Sequence, residues 1–172
     1  MKYMQQGGFQ SHPLMRLTLG LTLALLVGFW ATNVAMYFSR MSLDPVSVVT
    51  YYNGSEEDFR PPRSTGSMLE TTHMHLPMMA VVLLLLTHLL IFLPLSRAAK
   101  VGTILAVFGS AVLEEGGGWL VRFASPTFAP LKVIGFLGLQ SAVAFLIAAL
   151  GIFLWKASRR GDADRGNQDP GP

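Results

Sequence analysis

The residues able to do chemistry in this chain sit inside or directly beside its most apolar stretches. One stretch carries Glu70, His73, His75 and His88, the next carries Glu114, Glu115 and Arg122, and two others add Asn33 and Gln140. Glu70-Thr-Thr-His73 is an E-x-x-H unit, which puts a carboxylate and an imidazole on one helical face, as helical-bundle metal sites do. Met68, Met74, Met78 and Met79 surround it together with His75, and thioether with imidazole suits copper(I). These residues read as a metal site of Glu70, His73 and His75, or else the methionines are ordinary packing residues. On a regular helix His73 and His75 lie about 200° apart, so they converge only if Pro77 unwinds the turn.

The pair Glu114-Glu115 precedes Gly116-Gly117-Gly118 and reads as a proton or ion path beside a helix irregularity, where freed backbone groups could face a cavity. Neighbouring helix positions diverge by about 100°, so the two acids cannot share one proton and at most one points at Asn33 and Gln140. Alternatively Glu115, Trp119 and Arg122, spaced i, i+4 and i+7, form a structural anchor near the membrane interface. Every such residue is costly to bury and needs a partner or a task.

The elements that position these residues follow from length and hydropathy. The chain has 172 residues, 51% apolar and only 13% charged. Four runs, Leu17–Phe38, Leu76–Leu95, Val101–Phe123 and Leu131–Trp155, meet the requirement of roughly 20 apolar residues for a bilayer span. Isolated runs of this kind must be helical to satisfy their backbone, so the fold class is all-α, an integral membrane four-helix bundle. The first run is too long for the core of a cleaved signal peptide and is read as a retained span. Residues 1–16 are a cytoplasmic N-terminal segment, 17–156 the transmembrane domain with an outer loop at 39–67, and 157–172 a disordered cytoplasmic tail rich in Gly, Asp, Asn and Pro. That outer loop is an ordered cap or a solvated connector. Eight Lys and Arg on the N-terminus, second loop and C-terminus face five on the first and third loops, which puts both termini in the cytoplasm, most simply of a bacterial inner membrane.

Helices two, three and four are joined by short connections and should be antiparallel neighbours. Folding the hairpins about Ala98 and Thr127 sets Arg122 level with Met74, between His73 and His75, and Glu114 level with Val82 and Gln140. Three polar layers result: Glu70, His73, His75 and Arg122; Asn33, Gln140 and one of the two acids; and His88 alone. Small residues spaced by four, Gly102, Ala106, Ser110 and Gly118 around Glu114 and Gly20, Ala24 and Gly28 on helix one, are expected at helix contacts.

His73 to His88 spans 15 positions, a rise of about 22 Å with a turn of about 60°. Through His73 or His75 with His88, and through Arg122 where a propionate would want a cation, the chain resembles four-helix membrane b-type cytochrome subunits. That resemblance implies electron transfer with haem b held by His73, His75 and His88. Helices one, three and four contain no histidine, so second ligands would have to come from a homodimer, another subunit or methionine.

No cysteine is present, which removes disulfides, thiolate nucleophiles and Cys-ligated metals. The glycine triplet lacks the lysine and context of a phosphate loop, and there is no Gly-x-Ser-x-Gly elbow. A net charge of +3 without a basic stripe argues against nucleic acid as a partner. The sequence therefore reads as a non-catalytic or electron-transfer subunit that contacts the lipid bilayer and other membrane subunits or a second copy. Its alternatives are a cofactor-free structural subunit, a copper or other metal site, and a proton path.

Overall fold

The computed structural model describes the backbone from His12 to Gly166 and side chains as far as Arg159. Most of the N-terminal segment (1–11) and the end of the tail (167–172) lie outside the described residues. Five helices follow in order: α1 (Pro13–Phe38), α2 (Pro45–Asn53), α3 (Thr65–Leu90), α4 (Arg97–Phe123) and, after a 3₁₀ turn at Pro126–Phe128, α5 (Ala129–Gly166). The α1, α3 and α4 helices and the run Pro126–Arg159 are long and apolar enough to cross a membrane. The protein is thus an all-helical, multi-pass integral membrane protein.

Local chemistry sets the boundaries. Asp44 accepts a hydrogen bond from the Val46 amide at 3.0 Å and Pro45 preorganises the first turn, which starts α2. Ser64 and Ser96 cap α3 and α4 in the same way, from the amides of Ser67 and Ala99. The second span begins at Thr65 rather than Leu76 and ends at Leu90 rather than Leu95. Its polar first turns are held by that cap and by contacts to α4. Pro94 keeps the apolar residues after Leu90 from continuing the helix. Pro77 lies within α3, which remains helical on both sides of it. At the other end α5 runs on through residues 157–166, which the sequence assigns to the tail.

The turn at 91–96 sits several residues before Ala98, and this resets the register between α3 and α4. In the next hairpin, Gly117 lies against Lys132, Gly135 against Glu114 and Gly138 against Ser110. A methyl group on Gly117 would stand 2.9 Å from the Lys132 Cα, so the two backbones approach as closely as membrane helices do through small residues. The expected small-residue row on α4 is therefore at a contact over Ser110, Glu114 and Gly118, but Gly102 and Ala106 are exposed. On α1 the expectation fails: Gly20, Ala24 and Gly28 face outward, and Leu23, Leu26 and Tyr37 are the buried positions. Spacing by four selects a face, and here larger residues occupy the packed one.

The α1 helix runs antiparallel to α5, with Tyr37 stacked on Phe136 (centroids 3.6 Å apart) and the Trp30 indole donating to the Gln140 carbonyl at 3.0 Å. Two apolar cores result. The larger joins α1, α3, α4 and α5 around Leu86, Leu90, Val107 and Leu146. The smaller sits at the opposite end, where α2 closes the bundle through Val48 and Tyr52 against Met68, Val121 and Val133. The long loop between α1 and α3 is therefore an ordered cap over this end. The chemistry lies between the two cores.

Candidate functional site

Glu114 and Glu115 leave α4 in different directions, as their helical spacing requires. Glu114 turns to α5, where the buried Lys132 ammonium pairs with its carboxylate and also donates to its main-chain carbonyl at 2.7 Å. Glu115 turns to α3, accepting from the Thr72 hydroxyl and lying 3.3 Å from Nδ1 of His75. The Trp119 indole donates to the same Thr72 hydroxyl at 2.9 Å, which fixes its direction. Each of these partly buried acids thus has a basic group beside it.

Both pairs line one cavity of about 80 Å³ beneath the cap, together with Asn33, Tyr37, Arg40, Tyr51 and Arg63. At roughly 10–15 Å³ per water, this is space for a small water cluster or one small group. It falls well short of the several hundred cubic ångströms of typical cofactor pockets, so this cavity does not enclose a porphyrin. The His75 side chain is 44% exposed and that of Glu115 only 14%, so the imidazole stands between the acid and the opening. On the deeper side the space meets a smaller, apolar cavity of about 30 Å³ lined by Trp30, Met79, Val82 and Gln140, with Asn33 common to both.

The cap keeps this arrangement in place. Tyr52 fits over Gly118, where a methyl group would stand 2.6 Å from its hydroxyl oxygen. Its burial pushes the phenol above the usual tyrosine range, a shift that the nearby Lys132 ammonium partly opposes. The Asn53 side chain donates to the Val121 carbonyl at 3.3 Å, and Arg122 Nε donates to the Arg63 carbonyl at 2.8 Å.

The anticipated site residues separate into those brought together and those kept apart. His75, Glu115, Glu114 and Asn33 meet around one cavity. Gln140 is buried deeper: Glu114 lies level with Gly135, because the α4–α5 turn closes before Thr127. Arg122 is not between His73 and His75. The earlier α3–α4 turn places it beside Arg63, with its guanidinium over Phe123 at 5.1 Å. Glu70 and His73 are exposed on α3 while His75 turns inward, since the helix through Pro77 does not unwind to bring the two imidazoles together. No group of three or more His, Cys, Asp or Glu is positioned to hold a metal ion among the described residues. His88 is exposed near the far end of α3, its ring edge-on to Phe92 at 5.8 Å. The glycine triplet does not interrupt α4, and its second and third members serve the close contacts with Lys132 and Tyr52.

Sequence reasoning missed Lys132, Thr72 and Tyr52. Lys132 is grouped with the cations of the third loop by the basic-residue balance. Its place in the first turn of an apolar helix, one short connection after an intramembrane acid, is the signal that pairs it with Glu114.

A family model described as a transmembrane helical domain, Aq_1264_TM, matches residues 42–161, more than two thirds of the chain, from the cap into α5. No curated protein and no solved structure matches.

Proposed function

We propose a role that starts from the family: the chain belongs to the Aq_1264_TM transmembrane helical domains, and within that scaffold its capped cavity exchanges protons at one face of the membrane. The observation that carries this reading is the half-exposed His75 imidazole 3.3 Å from the largely shielded Glu115 carboxylate, at the wall of a cavity large enough for water. Histidine changes charge between about pH 5 and 8, and a carboxylate at hydrogen-bond distance from Nδ1 can take or return its proton. Thr72, fixed by Trp119, orients the carboxylate. Glu114 and Lys132 form a fixed ion pair on the opposite wall, which leaves Glu115 as the acid coupled to the imidazole.

The larger apolar core lies beyond this layer, so the cavity is blind within one chain. A blind proton site serves a transfer only when another subunit completes the route, and on this reading the chain works as a subunit of a larger membrane assembly. The test is proton uptake by the purified protein on a pH jump from 8 to 5, read with an indicator dye. Wild type should take up about one proton per chain more than His75→Gln. Equal uptake by folded variant and wild type would remove His75 from the role.

One observation favours a second reading, electron transfer with haem b. His73 and His88 are both exposed on α3, 15 positions apart, where a second copy or another subunit could supply facing ligands. Haem would then lie at an interface outside the capped cavity. A reduced b-type spectrum that disappears on His88→Ala would favour it, and a spectrum without porphyrin bands in the intact assembly would dismiss it.

A further inference from the structure

The mouth of the cavity carries two guanidiniums that no acid neutralises. Arg40, just past the end of α1, approaches the Tyr51 hydroxyl at 3.4 Å, and the Arg63 guanidinium lies 5.1 Å from the centre of the same ring. Both line the cavity. Among the described residues the ion pairs are Arg60 with Asp58, His75 with Glu115 and Lys132 with Glu114, so the two acids facing this space are already engaged. Arg63 makes one long contact, 3.4 Å to the Thr71 hydroxyl, and its buried Nε has no hydrogen-bond partner. A guanidinium offers five donors in a planar fork that matches oxyanions, and a buried donor left unpaired is costly.

We propose that this mouth binds an oxyanion, with the chemistry of a phosphate group, between Arg40 and Arg63 above Tyr51. The anion would balance the uncompensated charge and give the Arg63 fork an acceptor. The same group occurs in free phosphate and in a phospholipid headgroup. The mouth admits either source, because it opens beneath the cap while Met36, one turn before Arg40, is 44% exposed on the wall of α1.

The test uses the full chain purified in maltoside micelles, which contain no phosphate. Inorganic phosphate is titrated calorimetrically in one arm, and short-chain phosphatidylglycerol in the other. Binding in either arm, weakened about tenfold by Arg40→Gln and unchanged by Arg60→Gln, is the expected result. Binding of phosphate alone identifies a free anion as the ligand, and binding of the lipid alone identifies a headgroup. Arg63→Gln should weaken binding similarly. Because Arg63 also supports Tyr51 and that variant could loosen the cap, the exposed Arg40 decides the question. Absence of binding in both arms, or binding indifferent to Arg40→Gln, would overturn the proposal.

Discussion

Removing both members of the Glu114–Lys132 pair should cost no more than removing one. The Lys132 side chain is 7% exposed and that of Glu114 15%, so either charge left alone is mostly deprived of water. Breaking a buried pair typically costs about 3–5 kcal/mol. The lower end applies here, because Glu114 borders the cavity and Lys132 also donates to the Glu114 main-chain carbonyl. We expect about 3 kcal/mol for Lys132→Met and about 3 kcal/mol for Glu114→Gln. The double variant has neither uncompensated charge and should also lose only about 3 kcal/mol, a coupling of about 3 kcal/mol. Reversible unfolding in mixed micelles, titrated with a denaturing detergent, measures all four corners of this cycle. Single losses that add to within about 0.5 kcal/mol would refute the argument, since independent sites behave that way.

Three further outcomes follow from the same contacts. Gly135→Ala should destabilise the protein by about 1–3 kcal/mol by overpacking against the Glu114 backbone, while Gly20→Ala and Gly28→Ala, with nothing within 4 Å, should be neutral or stabilising; the same unfolding assay separates them. Tyr52 has a folded pKa above its unfolded value, so its contribution is complete below about pH 10 and is lost as pH rises through the folded value; Tyr52→Phe should make the cap more resistant to alkaline unfolding, followed by near-ultraviolet absorbance. A reporter fused after Trp155 should be cytoplasmic and one inserted at Glu57 on the opposite side, as the basic-residue balance requires; the reverse pair would invert the topology and leave the bundle intact.

The spans were legible because a bilayer demands long apolar helices, and so was the divergence of Glu114 from Glu115, which one helical turn dictates. The end of α3 was less so. Ile91–Leu95 is as apolar as the helix before it, and only Pro94 marks the stop. An error of a few residues there moves Arg122 from Arg63 to the histidines. The polar start of α3 was hidden for the opposite reason: Thr65–His75 looks too polar for a span until α4 supplies Glu115 and Trp119 as partners. The basic-residue balance groups Lys132 with the third loop because it is the second residue of the span Leu131–Trp155, although the backbone geometry at Gly117 and Gly135 draws it inside. A sequence period shows which residues share a face. It does not show which face meets protein, and Gly20, Ala24 and Gly28 illustrate the difference.

The central claim is that His75 exchanges its proton in concert with Glu115, and nitrogen-resolved NMR of histidine-labelled protein in nanodiscs measures it most directly. His75 should titrate reversibly, with a midpoint that Glu115→Gln moves. A His75 titration identical in wild type and Glu115→Gln would contradict it.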